Sequence, residues 1–366
     1  MKTQLVSVAL TLTLVGLQAS AQSLSNGKGD LRVMTYNANE GSDFLEVQSA
    51  RSLPEFLVAV GQTIAQVRAT NPPARMQALA KQIIAAGPAL VGIQEVDQWE
   101  TGQLNPSTLS CGPTTLEFDM LQELLDALTA QGGHYKVAVQ AQQYAFPPTP
   151  GFLSDGTPQC VKVVNYIAIL ARTDLDPSKF QWRNAQSAQY TATLFFPTPV
   201  GTLPLPRAWA SLDATFHGQQ FRFITTHLES VDTTPLIGFS IREQQGAELR
   251  NGPADTALPV VLAMDSNAPA APLPQDPTYV DFTLAGFADG WADLFPGVQG
   301  FTCCQAELDN NLVSKLDQRI DLILTRGRIE VQNIALYGAT QGSKTPGGLW
   351  PSDHAGVAAQ LALETQ

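Results

Sequence analysis

Eight polar residues of the 366-residue sequence stand where short apolar runs end, and their types suit the holding of a hard cation beside a phosphate. Asn37 follows residues 31–36, Glu95 follows 90–94, His227 follows 221–226, and Asp265 with Asn267 follows 260–264. Asp321 and the adjacent Asp353 and His354 complete the set. Carboxylates offer hard oxygens, imidazoles carry protons at physiological pH, and asparagine amides hydrogen-bond phosphoryl oxygens. Layered α/β proteins often build their sites at such strand ends, where a buried run delivers a side chain to the rim of a sheet. Asp265-x-Asn267 also fits an Asx turn closing a strand, which does not exclude catalysis. The other two histidines, His134 and His217, are read as structural.

These residues can converge only if the runs before them are strands. Residues 31–37 alternate in polarity, and 89–95, 163–170, 208–216, 221–226, 259–264, 319–324 and 356–363 are apolar runs of strand length. A helix is predicted over 74–86, stopped by Gly87-Pro88. Thr114-x-x-Glu117 reads as a capping box opening a second helix, whose Leu121, Leu124, Leu125 and Leu128 share one face until Gly132-Gly133. Ser240-x-x-Glu243 announces a third. Helices interleaved with strands favour a layered α/β domain over an all-β sandwich. Residues 101–113, 146–159 and 267–277, rich in Pro, Gly, Ser and Thr, are read as surface loops. No boundary splits the chain, so residues 22–366 are expected to form a single domain.

Lys and Arg total 21 against 33 Asp and Glu, a net charge of −12 with no polybasic run. A broad electrostatic grip on nucleic acid is therefore not expected. Lys2, the apolar stretch 5–17 and Ala19-Ser20-Ala21 have the three parts of a signal peptide, with cleavage expected after Ala21 and export to periplasm or medium. No segment reaches the roughly 18 apolar residues of a membrane helix. In an oxidising compartment the four cysteines allow three complete pairings. Cys111 with Cys160 is favoured, while Cys303 and Cys304 form a vicinal bond, stay reduced or pair elsewhere. No CxxC, HxxH or HExxH spacing supports a structural zinc.

Seven segments, MTYNANEG, VGIQEVD, NYIAILAR, FITTHLES, VLAMDSN, QRIDLIL and WPSDHAG, spread from Arg32 to His354, resemble in kind and order the motifs of the endonuclease/exonuclease/phosphatase superfamily. That superfamily includes pancreatic-type deoxyribonucleases, apurinic-site endonucleases, neutral sphingomyelinases and inositol polyphosphate 5-phosphatases. The resemblance implies a four-layer α/β sandwich, two packed central β-sheets flanked by helices, and a Mg²⁺-dependent phosphoesterase in which Mn²⁺ or Ca²⁺ can substitute. It implies that Glu95 is the main metal ligand, with Asp353 contributing and Asn37 beside it on metal or phosphate. His354 would bind the scissile phosphate or assist proton transfer, oriented by Asp321. Asp265 would align or deprotonate the attacking water, with Asn267 on a phosphoryl oxygen and His227 on the phosphate.

Pancreatic-type nucleases carry a carboxylate where this chain has Asn165, which weakens that reading and leaves Asn165 as a phosphate or His227 partner. The substrate is left as a nucleic acid, a sphingolipid or an inositol phosphate. An inert secreted binding protein on the same fold is the alternative from a different class. A monomer is expected. Substrate choice is assigned to residues 142–159, 193–206 and 268–283. Phe195-Phe196 stands either on a protruding hairpin or on a strand pair tucked against the core. Tyr144, Phe146 and Phe152 either line a cleft or pin a loop.

Overall fold

A computed structural model describes residues 30–271 and 276–364. The expected signal peptide at 1–21 lies outside them.

Period-two alternation organises the core. In the strand Leu31–Asn37, Val33 packs toward a second sheet while Met34 and Tyr36 pack toward helices. The first sheet has nine strands. Ile329–Tyr337, Gly356–Leu363, Leu31–Asn37, Leu90–Gln94, Pro158–Arg172, Gln98–Asn105 and Ser110–Asp119 follow one another, and Tyr135–Ala145 and Thr149–Phe152 also pair with Pro158–Arg172. The second sheet runs Ala288–Asp289, Asp321–Arg326, Val260–Asp265, Gln219–His227, Ala208–Phe216 and Phe180–Gln189. Leu90, Ile167 and Ala359 of the first sheet meet Leu212, Phe223 and Ile323 of the second in one apolar layer. Each such large side chain removed from water contributes about 1.5–3 kcal/mol.

Helices close both outer faces, so the chain has the four-layer α/β architecture expected of it. Pro72–Ala86 and Met120–Ala130 cover the first sheet through Met76, Leu79, Ile83, Leu121, Leu124 and Leu128. Ile241–Asn251 and Thr278–Leu284 cover the second through Leu249 and Phe282. The sheets approach closely at Gly92, where an added Cβ would lie 2.3 Å from the Thr225 hydroxyl.

Local signals were not all decisive. Ser240 caps its helix by accepting from the Glu243 N–H, as the sequence indicates. Thr114 and Glu117, read as a capping box, instead lie in the strand Ser110–Asp119, and Asp119 caps the following helix. Pairing along Gln98–Asn105 overrides the local preference, and Thr114 and Glu117 bond Glu100 and Arg68 from that strand. Most of 101–113 is thus a β-hairpin rather than an irregular loop, and 146–159 contains the strand Thr149–Phe152.

Cys111 and Cys160 are bonded, with Cα atoms 5.7 Å apart, bridging the two strands that flank Gln98–Asn105. Cys303 and Cys304 are bonded to each other. Closing a separation of 49 residues restricts the unfolded chain by about 4 kcal/mol in the chain-entropy model. The double variant Cys111→Ser/Cys160→Ser is expected to lose about 2–4 kcal/mol in denaturant unfolding. A loss under 0.5 kcal/mol would show that the bridge does not restrict the unfolded chain.

Candidate active site

The alternation that fills the core continues past the last apolar layer, and there it delivers polar side chains. Asn37, Asn165, His227, Asp265 and Asp321 share the inward parity of Val33, Ile167, Phe223, Val261 and Ile323 on their strands. His227 sits opposite Asp265 and Asp265 opposite Asp321 in the ladder, so sheet register alone aligns three of them. Glu95 follows Leu90–Gln94 in the left-handed region, φ 55°, a conformation that costs a non-glycine residue about 1 kcal/mol or more. From there its carboxylate accepts from Asn37 Nδ2 at 2.8 Å and from the Glu40 N–H at 2.8 Å.

Asn37 couples the sheets. Its Nδ2 also donates to Asp265 Oδ2 at 2.9 Å, clamping the Glu95 and Asp265 carboxylates together. The Asx turn at 265–267 is present, with the Asn267 N–H on Asp265 Oδ1 at 2.9 Å, and it leaves Oδ2 facing the site. The Asn267 amide donates to the Leu228 carbonyl at 2.9 Å. His354 Nδ1 donates to Asp321 Oδ2 at 2.7 Å, which directs Nε2 to within 3.9 Å of Asp265 Oδ2. Ser352 anchors that segment, its hydroxyl donating to the Asn37 carbonyl at 2.7 Å. Asp353, with 28% of its side chain exposed, places Oδ1 4.0 Å from His354 Nε2.

Two overlapping groups of ligand atoms result, Glu95–His227–Asp265 and Asp265–Asp321–His354, each within 4.8 Å. Burial, then the charge of Asp353, pushes Glu95 up to about 6, while His354 and Asn37 act in the opposite direction. Burial, then Asp321, pushes Asp265 up to about 6. Burial disfavours a charged His354, but Asp321, Asp353 and Asp265 outweigh it and hold the ring well above the ordinary histidine range. His227 goes the other way, held well below that range by burial, by Arg207 and by His354. Arg207 donates to His227 Nδ1 at 3.1 Å, which puts the ring proton of the neutral form on Nε2, 3.6 Å from both Glu95 Oε1 and Asp265 Oδ2.

Arg207 escaped the sequence reading, as did Glu40 and Asp97. The last two lie inside the MTYNANEG and VGIQEVD segments, three residues past strand ends, and that position was their available signal. Burial, then Glu95, pushes Glu40 up to about 8, and burial with Glu40 raises Asp97 well above the usual carboxylate range. Asn165 turns its Nδ2 onto Glu40 at 3.0 Å. Tyr144 is 4% exposed, stacks on Phe146 with centroids 5.0 Å apart, and donates its hydroxyl to Glu40, so this pair pins the wall of the site. Leu194–Thr198 and Gly201–Leu205 form a separate hairpin with Leu194 buried and Phe195 64% exposed. His134 and His217 are exposed, as structural or surface residues can be.

Solved structures with the same fold include an endonuclease/exonuclease/phosphatase family protein from Leptotrichia buccalis, at 14% identity and TM-score 0.54, covering 91% of this chain and 100% of that one. A humanized D. rerio TDP2 aligns at 17% identity and TM-score 0.52, covering 91% and 99%. A mannosyl-6-phosphatase from Bacteroides thetaiotaomicron aligns at 16% identity and TM-score 0.51, covering 91% and 100%. Comparison with curated proteins by sequence gives no match. The profile of the Endonuclease/Exonuclease/phosphatase family spans residues 34–354, from the first strand of the site to His354 itself, and the chain belongs to that family.

Proposed function

We propose that this protein is an exported, Mg²⁺-dependent phosphoesterase that hydrolyses a phosphodiester or phosphomonoester by in-line attack of water. The observation that carries the reading is the His354–Asp321 pair at 2.7 Å, aimed at the same Asp265 carboxylate that Asn37 clamps to Glu95. A charged donor thus faces a paired set of hard oxygen ligands across one small space. The residues fit a divalent ion. Asp265 is buried and Glu95 largely so, both stand near further carboxylates and the Asn37 amide bridges them, so a cation would relieve the crowding that raises both groups to about 6.

Glu95 would hold the metal, with Asp353, Asp265 and Asn37 beside it. A bound Mg²⁺ supplies charge neutralisation at the phosphoryl oxygens. His354, protonated and fixed by Asp321, donates from Nε2 to a phosphoryl oxygen as negative charge accumulates there. Asp265 Oδ2 orients the attacking water and accepts its proton. His227, neutral, donates from Nε2 to the phosphate. Asn267 offers an amide donor at the rim, exchanging an internal hydrogen bond for one to substrate. The Cys111–Cys160 bond supports export, since such bonds persist in oxidising compartments.

The test is hydrolysis by purified residues 22–366 of supercoiled plasmid, a sugar phosphate, sphingomyelin and inositol phosphates, with Mg²⁺ or with EDTA. A sugar phosphate is included because one structural neighbour is a mannosyl-6-phosphatase. Mg²⁺-dependent turnover of one class is expected, together with a rise in Tm on adding Mg²⁺, worth about 2.7 kcal/mol at a hundred times Kd. No turnover of any class and no Mg²⁺ shift would refute the enzyme reading and favour an inert scaffold.

A further inference from the structure

Next to Glu95 lies a second set of acids that the reaction above does not use. Glu40 follows the strand Leu31–Asn37, Asp97 precedes Gln98–Asn105, and Asn165 lies within Pro158–Arg172. Sheet register brings them together. Gln98 pairs with Val164 and the Val96 N–H donates to the Tyr166 carbonyl at 3.2 Å, so Asp97 flanks Asn165 across the ladder. The Glu40 carboxylate receives Asn165 Nδ2 at 3.0 Å and the Tyr144 hydroxyl, and it lies within hydrogen-bonding reach of the Asp97 carboxyl.

This pocket is short of partners. Asp97 and Asn165 are both 0% exposed, yet among the described residues Asn165 Oδ1 has no hydrogen-bond partner and the Asp97 carboxyl has only the Glu40 carboxyl and the Asn165 amide within reach. Leaving a buried acceptor unsatisfied costs about 1–3 kcal/mol each, and more for a charged one. The neighbouring cation, Arg207, is already committed to Glu229 at 3.5 Å and to His227. Two facing carboxyls beside a buried amide oxygen concentrate negative charge, which a cation between them would neutralise in place of a shared proton.

We propose that Glu40, Asp97 and Asn165 form a second site for a hard divalent cation, separate from the Glu95–His227–Asp265 group. The donors are all oxygen, which selects Ca²⁺ or Mg²⁺ over zinc or copper. A half-turn of the Asn165 amide exchanges its N–H on Glu40 for Oδ1 on the ion, and the ion then takes over the role of that N–H. The site stiffens the catalytic one, because the Glu40 N–H holds Glu95 Oε2 at 2.8 Å. It stands whether or not the protein cleaves phosphoesters, and so goes beyond the function proposed above.

Ion counting tests it. The EDTA-treated protein is dialysed against Ca²⁺ and bound ions are measured by atomic emission, with Tb³⁺ luminescence excited at 295 nm as a second readout. Trp99 donates from Nε1 to the Glu40 carbonyl at 3.0 Å and is placed to sensitise an ion there. Two ions per chain are expected in the wild type, one in Glu40→Gln and in Asp97→Asn, and one in Glu95→Gln. Trp99→Phe is expected to keep two ions and to lose most of the sensitised emission. A single ion in the wild type overturns the proposal, as does an unchanged count in both Glu40→Gln and Asp97→Asn. Should either of those variants fail to fold by circular dichroism, the wild-type count and Trp99→Phe decide. Two ions bound without phosphoester turnover would uphold this site while refuting the enzyme reading.

Discussion

His354→Ala is expected to lower kcat/KM by about 10²- to 10⁴-fold on the phosphoester this protein cleaves, with the fold and the Mg²⁺-induced rise in Tm retained. That range is about 3–5 kcal/mol of transition-state stabilisation. The magnitude follows from the geometry, since His354 is the one site histidine held in its charged form and Asp321 fixes its ring at 2.7 Å. Asp321→Asn separates charge from position. It keeps a polar partner at Nδ1 but removes the strongest influence raising the imidazole, so the His354 pKa falls.

The direction of the pH effect follows from the sign of that shift. A histidine raised on folding contributes stability that is fully present below about pH 6.5 and is lost as pH rises through the folded value. Activity that needs the imidazolium falls along the same limb. In Asp321→Asn that limb moves to lower pH, measurable in the profile of log kcat against pH. An unchanged alkaline limb would mean that His354 is not the group that must stay protonated, and undiminished activity in His354→Ala would remove it from the mechanism.

The residues easiest to read were those delivered by a strand's own alternation. Asn37, His227, Asp265 and Asp321 each extend an apolar period-two pattern by one inward step, so sequence locates them and the sheet register does the rest. Arg207 was not legible, because its role depends on folding across to His227 from a segment with no periodic signal. Glu40 and Asp97 were overlooked for a related reason. A carboxylate three residues past a strand end resembles a solvated loop residue until the tertiary fold closes over it. The helix Leu53–Thr70 was unread although Ser52-x-x-Glu55 with Pro54 is a sound start signal, and Ser52 does cap it. Thr114-x-x-Glu117 has the same kind of capping pattern and became a strand. Similar local signals diverged because a strand partner lay beside one of them.

The second large effect falls on stability, at Arg75. This arginine is 0% exposed on the helix Pro72–Ala86, and it holds together segments that carry site residues. Its guanidinium donates to the carbonyls of Thr70 at 3.0 Å, Ala38 at 2.6 Å, Asn39 at 2.8 Å and Pro351 at 3.3 Å, with Asp309 Oδ2 at 3.5 Å. Ala38 and Asn39 lie between Asn37 and Glu40, and Pro351 stands two residues before Asp353. Arg75→Met leaves four buried acceptors and one buried carboxylate without their cation, a loss of about 3–5 kcal/mol. Tm should fall by roughly 4–7 °C for a chain of this size. Arg75→Lys rescues only part, because an ammonium cannot reproduce the planar fork that reaches several carbonyls at once. Adding Asp309→Leu to Arg75→Met should recover stability, since it removes the charge left unpaired. The exposed Arg51 supplies the contrast, and Arg51→Met should stay within about 0.5 kcal/mol. A drop in Arg75→Met no larger than in Arg51→Met would mean that the buried fork is not what ties the Asn37 and His354 segments into one site.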